Sequence, residues 1–320
     1  LIQPTMKDFF SRLFFKPSTR AFFEQAQARS GFTLWNLVHG YVYGRWPYLY
    51  ISVGTGTHPL TRLLKPLYRF FKSPSDPSDN VGGTSGKIAF ANGYHGKVLP
   101  LEHAQKLVTV NRNIDLGDLE QVIPYTMARD IVIQSPDHIT VLECPCRASR
   151  DKPCLPMDVC LIVGEPFAGF IAEHHPARAR RITQQEAVDI LQAEQQRGHV
   201  HHAFFKDAML GRFYAICNCC SCCCGAMQAQ RNGVPMLAAS GYVCAIDHQR
   251  CRNCGLCIKH CQFSALNLDG EHLVLDTSKC MGCGVCTAVC PTRALQLVRD
   301  PAKGIPLDIH QLMSNTAHAA

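Results

Sequence analysis

Two copies of one cysteine pattern, 29 residues apart, restrict the fold of this chain more than any other feature of its sequence. The copies are Cys251-x2-Cys254-x2-Cys257-x3-Cys261 and Cys280-x2-Cys283-x2-Cys286-x3-Cys290, the second followed by Pro291. A tight loop can present three thiolates to one cubane cluster, whereas the fourth ligand must come from another part of the chain. The repeat therefore indicates iron-sulfur cubanes, each of which takes its fourth thiolate from elsewhere in the chain.

The repeat resembles the bacterial two-cluster ferredoxin module over about residues 242–298. In that family the fourth cysteine of each run binds the other cluster. The resemblance therefore implies one [4Fe-4S] cluster on Cys251, Cys254, Cys257 and Cys290, and a second on Cys280, Cys283, Cys286 and Cys261. It also implies a ferredoxin-like βαββαβ fold. Zinc sites built from C-x2-C pairs are the alternative, but they leave the paired fourth cysteines unexplained.

Residues beside these ligands fit the resemblance, with one departure. Gly255, Gly282 and Gly284 allow the backbone to approach the sulfides closely and to donate N–H groups to them. Gln262 stands where the family has its first proline. We expect this change to alter the path of the chain after Cys261 without removing a ligand.

Ten further cysteines form two groups upstream. They are Cys144, Cys146, Cys154 and Cys160, followed by Cys217, Cys219, Cys220, Cys222, Cys223 and Cys224. So many neighbouring thiols would oxidise readily unless metal held them as thiolates. If 217–224 is helical, it presents two arcs of three thiols, namely Cys217, Cys220 and Cys224, and Cys219, Cys222 and Cys223. One cysteine of the first group could complete each arc, so we predict one or two additional iron-sulfur clusters; a single larger cluster is equally compatible with the count.

The strings ECPCRASRDKPCLPMDVCLIVG and ICNCCSCCCG resemble a cysteine-rich region that precedes a ferredoxin module in a group of prokaryotic 4Fe-4S proteins. This resemblance supports a cysteine-rich iron-sulfur domain over 87–241, a ferredoxin domain over 242–298 and a tail over 299–320. It does not imply a reaction. Arg147 beside Cys146 could donate to a cluster sulfide, but we favour a salt bridge at the surface.

The composition excludes several other uses of these thiols. The chain has 320 residues and 19 cysteines, which stand in dense runs whose neighbours cannot easily pair as disulfides. No C-x-x-C-H string for haem attachment occurs, and no run of about 18 apolar residues predicts a membrane span. We expect metal-thiolate chemistry in the cytoplasm, either free or peripheral on the inner face of the membrane. Because Leu1 is not an initiating residue, we also expect the chain to be either processed or incomplete at its start.

The N-terminal segment differs sharply from the rest in charge. Residues 1–72 contain ten Lys and Arg against two Asp and Glu, and 16 of the 27 aromatic side chains. Helical apolar stripes over 6–14 and 60–71 predict a basic amphipathic arm, which the polar stretch 73–86 links to the remainder. Such an arm suits an anionic membrane surface, or packs on its own protein or a partner subunit. Its charge would attract an acidic redox partner, and we expect no nucleic acid.

The central region reads as a mixture of helices and strands, so we predict an α+β fold for the whole chain. Helices are predicted over 100–108, over 116–134 with a break at Pro124, and over 184–197, where Thr183 and Glu186 form a capping box. Ile139 and Val141 alternate as a short strand before the first cysteine group.

The remaining residues that could belong to a functional site give weaker evidence. Five histidines flank the helix predicted over 184–197, and we interpret them as hydrogen-bonded or solvated side chains: His174, His175, His199, His201 and His202. Cys244 is isolated, so we interpret it as a buried small residue. No phosphate-binding loop, serine nucleophile or carboxylate pair is evident, and we assign no catalytic residue.

Three functions are compatible with these features. The first is an electron-transfer protein, or the electron-transfer subunit of a redox complex, that passes single electrons between the ferredoxin clusters and an upstream cluster. The second is a reductase with an unusual cluster or reactive thiol in 217–224. The third is structural or stored metal, such as zinc, at the upstream cysteines.

Iron content distinguishes these possibilities. Protein purified without oxygen should contain about twelve to sixteen iron atoms if the upstream cysteines bind clusters, and about eight if only the ferredoxin module does. Iron and acid-labile sulfide analysis, followed by electron paramagnetic resonance during a redox titration, measures this directly. A colourless preparation with zinc or free thiols at the paired C-terminal sites would contradict the iron-sulfur interpretation.

Overall fold

The computed structural model describes residues 15–59, 61, 84–117 and 119–319, and within them the chain is a mixed α/β structure. The predicted stripe over 6–14, almost all of the stripe over 60–71 and most of the predicted linker lie outside these residues. The N-terminal helices are α1 (Pro17–Ala28), α2 (Leu34–Arg45) and α3 (Pro47–Gly54).

The next elements are α4 (Thr84–Gly93), β1 (Tyr94–Leu99), α5 (Leu101–Val108), β2 (Ile114–Leu116), β3 (Ile131–Glu143), α6 (Pro145–Ala148), β4 (Asp158–Glu165), α7 (Phe167–His174), β5 (Ala179–Ile182), α8 (Gln184–Gln196), β6 (Val200–Lys206), β7 (Arg212–Cys219), α9 (Gly225–Arg231) and β8 (Leu237–Ala238). The C-terminal elements are β9 (Tyr242–Ile246), α10 (Leu256–His260), β10 (Leu266–Asp269), β11 (His272–Leu275), α11 (Val285–Val289), β12 (Leu295–Arg299), a 3-10 turn (Pro301–Lys303) and α12 (Ile309–Ala319).

An eight-stranded sheet forms the framework of the central region. Its strand order is β2-β3-β4-β7-β6-β1-β8, with β5 paired to β3. The pairs are antiparallel except β1 with β8, which are parallel. The pairing of β4 with β7 sets Cys160 opposite Cys217, and that of β6 with β7 sets Val200 opposite Cys219. The sheet thus brings cysteines distant in sequence to one edge of the core.

Three of the predicted elements are confirmed and one is wrong. Helix α5 covers most of 100–108, α8 matches 184–197, and Ile139 and Val141 lie in β3. The Thr183 hydroxyl accepts the Glu186 backbone N–H at 3.1 Å, as the capping box requires. The helix predicted over 116–134 does not form. Strand β2 ends at Leu116, and the described residues between the strands form turns, bends and irregular backbone. Ile131 and Ile133 enter β3 with their side chains buried on one face.

The described N-terminal helices pack on the central sheet and its helices. Phe22 of α1 is buried, with its ring 5.9 Å from that of Phe170 in α7. The Tyr43 hydroxyl of α2 lies 2.9 Å from the Tyr214 hydroxyl of β7. The opposite face of α2 leaves Leu34 and Trp35 exposed. Within the described ranges, every helix is too short or too polar to cross a membrane.

The C-terminal module has the element order β9-α10-β10-β11-α11-β12. Strand β9 pairs with β12, and β10 pairs with β11 in an antiparallel hairpin. The module packs against the central sheet through a small apolar cluster in which Val285 of α11 meets Val98 of β1 and Val200 of β6. These contacts place the second cysteine run beside strands β1 and β6 of the central sheet.

Helix α2 lies so close to the core that one glycine is required. A Cβ on Gly40 would clash with the Ala208 carbonyl oxygen and lie 2.9 Å from the Phe22 ring. We expect Gly40→Ala to lower the free energy of unfolding by about 1–3 kcal/mol, because the added methyl group overpacks this contact. Anaerobic urea denaturation measures the change.

Gly54→Ala is the matched control, since Gly54 ends α3 and a Cβ there would meet nothing within 4 Å. Its stability should stay within about 1 kcal/mol of the wild type. Equal stability of the two variants would contradict the packing of α2 on the core.

Candidate metal centres

The second cysteine set of the ferredoxin module surrounds a small enclosed cavity. Cys261, Cys280, Cys283 and Cys286 line this space of about 20 Å³, together with backbone at Gly282 and Gly284. A cubane cluster requires four converging thiolates in an apolar surround with nearby N–H donors. The donor set therefore fits the group that the sequence implies.

The first set, Cys251, Cys254, Cys257 and Cys290, is more accessible. Cys257 is buried, Cys251 and Cys290 are half-buried, and Cys254 is exposed. Burial is the main cause that raises the pKa of Cys257 to about 11, so this thiol stays protonated at neutral pH unless a metal displaces the proton.

The 29-residue repeat is visible in the backbone. The amide of Ala265 donates to the Cys261 sulfur at 3.2 Å, and the amide of Ala294 donates to the Cys290 sulfur at 3.3 Å. Gly255 and Gly284 have positive φ angles of 72° and 78° at equivalent positions before α10 and α11. Each fourth cysteine thus receives an N–H hydrogen bond of the kind that stabilises a thiolate ligand.

The two repeats differ in how tightly their loops are enclosed. A Cβ at Gly282 would clash with the Tyr242 carbonyl and the Ser240 hydroxyl oxygen. At Gly284, also in the second repeat, a Cβ would lie 3.2 Å from the Leu297 side chain, whereas at the equivalent Gly255 of the first repeat it would meet nothing within 4 Å. The second loop is therefore buried against the rest of the protein, whereas the first faces open space.

The upstream segment 217–224 is not helical, so the two predicted arcs of thiols do not form. Strand β7 runs to Cys219, a turn occupies 221–223, and α9 begins only at Gly225. The reason is the pairing of β7 with β4 and β6, which the local sequence does not reveal. In the strand, Cys217 and Cys219 share one face and Asn218 lies on the other.

Six of the upstream thiols form what we call the six-thiol ring. Their sulfurs interact in the order Cys217, Cys160, Cys144, Cys146, Cys224 and Cys219. All six line a cavity of about 50 Å³. The neighbouring Cys146 thiol, with burial, raises the pKa of Cys144 to about 12. Such crowded and buried thiols suit a metal cluster, because metal binding removes their protons.

Arg147 lies in the wall of this cavity. It forms a salt bridge as predicted, but the prediction of a surface position is wrong because the pair is buried. Its side chain is 1% exposed, and its Nη2 atom donates to Glu194 at 2.7 Å and to the Asn218 carbonyl at 3.1 Å. Burial raises the pKa of Glu194, but hydrogen bonds from His199 and Arg147 bring it below its ordinary value. The Arg147 Nε atom is buried without a partner among the described residues.

A second cation lies behind the aromatic wall of the cavity. Lys206 is buried, with its Nζ atom 4.4 Å from the ring centre of Tyr94 and 5.0 Å from that of Tyr43. Burial lowers the pKa of Lys206 to about 8. Tyr43 and Tyr94 themselves line the cavity. A cluster bound by thiolates is anionic, so Lys206 and Arg147 place positive charge where it would stabilise one.

The other four upstream thiols form a separate group, which we call the thiol tetrad. It consists of Cys154, Cys220, Cys222 and Cys223. Their sulfur atoms all lie within 4.8 Å of one another. The sulfurs of Cys154 and Cys222 are 3.2 Å apart, and those of Cys222 and Cys223 are 3.7 Å apart. Two of its members, Cys220 and Cys223, also reach the wall of the six-thiol ring cavity.

The prediction of hydrogen-bonded histidines is confirmed for four of the five. His174 pairs with Thr19, His175 with the Gly44 carbonyl, His199 with Glu194 and His201 with Asn218. His202 is buried, and neither of its ring nitrogens has a partner in the described part of the chain. Cys244 is buried in the ferredoxin core, as predicted.

Sequence reasoning missed the residues that complete the cysteine sites. Asn218 and Lys206 come near the ring through the pairing of β7 with β6, and Glu194 of helix α8 does so through its contact with Arg147. None of them belongs to a motif. The one available signal was the position of Lys206 in the otherwise apolar run AFFK, where a charged residue is unusual.

Residues 250–294 match the family model of a 4Fe-4S dicluster domain. A search of curated proteins gives no significant match to the chain. The domain match and the cysteine-rich region upstream make this an iron-sulfur protein with a ferredoxin-type domain in its C-terminal part.

Proposed function

We propose that this protein transfers single electrons between two ferredoxin-type [4Fe-4S] clusters and a further iron-sulfur cluster held by the six-thiol ring. The observation that carries the proposal is the packing of the ferredoxin module against the central sheet and against the loop that carries upstream cysteines. When bound, iron-sulfur clusters supply one-electron redox chemistry over a range of about −700 to +450 mV. The protein supplies position, burial and charge.

Gln262 forms the first link between the two regions. It follows Cys261, a ligand of the second cluster by resemblance, and its side-chain oxygen accepts the Ser221 backbone N–H at 2.8 Å. Its side-chain amide donates to the Gly198 carbonyl at 2.9 Å. One side chain thus connects the cysteine that closes the ferredoxin set with the loop between Cys220 and Cys222.

Val200 forms the second link. It belongs to the apolar cluster against which Cys283 packs, and in the sheet it stands opposite Cys219. Strand β6 therefore contacts the ferredoxin module through Val200 and pairs with the strand that carries Cys219. This packing holds the second ferredoxin set and the six-thiol ring on neighbouring elements of the structure.

The charged residues support the same proposal. Arg147 has an unpartnered buried Nε–H in the ring wall, and Lys206 lies behind the aromatic wall. Both would favour the anionic state of a thiolate-bound cluster. The amides of Ala265 and Ala294 do the same for the ferredoxin ligands.

The proposal predicts that iron is lost from separate sites in separate variants. Cys283→Ala should lose about four iron atoms from the ferredoxin module, and Cys217→Ala should lose the upstream cluster while keeping about eight. Ser314→Ala is the control, since this residue is exposed on α12 away from both sets and the change should leave the iron and sulfide content unchanged. Retention of all iron in Cys217→Ala would refute the upstream cluster.

Electron exchange is tested in fully loaded protein. After photoreduction in the presence of substoichiometric reductant, freeze-quench electron paramagnetic resonance follows the movement of electrons between the ferredoxin and upstream signals. We expect Gln262→Ala to slow this movement at unchanged iron content, because it removes the link to Ser221. Gln311→Ala, on an exposed face of α12, is the control and should behave as the wild type. Upstream iron that never exchanges electrons with the module would refute the function.

A further inference from the structure

We propose that the thiol tetrad of Cys154, Cys220, Cys222 and Cys223 binds a single thiophilic metal ion, zinc or iron, in a site distinct from the clusters. The proposal goes beyond the proposed function and does not depend on it. It assigns a separate task to four of the ten upstream cysteines, which the sequence alone had grouped differently.

The separations between the sulfur atoms carry the inference. Four thiolates bound tetrahedrally to one ion at about 2.3 Å stand about 3.8 Å from one another. The tetrad fits this size, because all of its sulfurs lie within 4.8 Å of one another and two of its pairs are 3.2 and 3.7 Å apart. In a cubane each thiolate binds a different iron, so its four sulfurs stand further apart.

The ferredoxin cysteines provide an internal comparison. In the described part of the chain, neither ferredoxin set has sulfurs as close together as the tetrad does. The same polypeptide therefore contains wider sets, which suit cubanes, and one narrow set, which suits a single ion. Tetrahedral coordination by four sulfurs is typical of zinc and of iron.

The loop that carries three of the four ligands is held in place by neighbours other than the metal. Arg150 donates to the Cys223 carbonyl at 2.8 Å, and Arg231 donates to the Ser221 carbonyl at 2.7 Å. Gln262 accepts the Ser221 N–H from the other side. The fourth ligand, Cys154, comes from the segment between α6 and β4. A fixed loop reduces the entropy lost when the ion binds.

Charge is also complementary at this position. Four thiolates on a divalent ion carry a net charge of −2, and the guanidinium groups of Arg150 and Arg231 both reach the tetrad loop. In the described part of the chain, the hydrogen bonds of both guanidinium groups go to neutral backbone carbonyls of this loop. Their charge thus remains available to the metal-thiolate group.

Such a closed four-thiolate site is typical of structural metal. The ion would fix the turn at 221–223, which Gln262 joins to the ferredoxin module. The tetrad would therefore stabilise the contact between the module and the central domain. It would not itself need to change oxidation state.

Metal analysis of anaerobically purified full-length protein tests the proposal. The double variant Cys154→Ala/Cys222→Ala should lose one metal ion per chain, zinc or iron, with acid-labile sulfide unchanged. Ser221→Ala is the matched control in the same loop, since it keeps the backbone N–H that Gln262 accepts, and it should retain the ion. A cubane would instead lose iron and sulfide together.

X-ray absorption at the zinc edge of the wild-type protein gives a readout that does not depend on a variant's folding. Four sulfur neighbours at about 2.3 Å without a short metal–metal distance would support the proposal. If zinc is absent, iron in excess of sulfide by one atom per chain, lost in the double variant, supports it equally. Loss of about four iron atoms with sulfide, unchanged metal content, or a Cys154–Cys222 disulfide in reduced protein would overturn it. None of these results changes the iron content expected for Cys217→Ala, so failure of this proposal can be distinguished from failure of the proposed function.

Discussion

The antiparallel pairing of β4 with β7 is the interaction on which the upstream metal chemistry depends. It sets Cys160 opposite Cys217, and β7 ends two residues later at Cys219, so the following cysteines lie in a turn beyond the strand. Six thiols consequently surround a cavity inside the protein, while four gather at its edge. Without this pairing the same ten residues would be neighbours in sequence with no defined ligand geometry.

Much of the ferredoxin module could be predicted from spacing, because its ligands lie in short local loops. The division of the upstream cysteines could not, since it depends on strand pairing between segments about 55 residues apart. A helical arrangement of 217–224 has plausible periodicity, but hydrogen bonding to β4 and β6 outweighs local preference. Arg147 shows the same limit: its neighbours in sequence suggested a surface position, whereas Glu194 from α8 makes burial possible.

The departure from the ferredoxin pattern at Gln262 has a structural explanation. A proline at this position could neither accept the Ser221 N–H nor donate to the Gly198 carbonyl. An isolated ferredoxin has no central domain to bind, so a rigid residue there has no disadvantage. In this chain the glutamine joins the ferredoxin module to the central domain. Each such hydrogen bond contributes about 0.5–1.5 kcal/mol to the free energy of unfolding.

Because the two ferredoxin loops are unequally enclosed, the module has one cysteine set that faces solvent and one that is buried. The loop with Gly282 is pressed against Tyr242 and Ser240, whereas Cys254 in the first repeat faces solvent. Under the proposed function, an external carrier would make its encounter at the Cys254 side, and charge would travel inward toward the sheet. Water near the solvent-facing set would also polarise around an anionic cluster. Two chemically identical clusters would therefore have different reduction potentials.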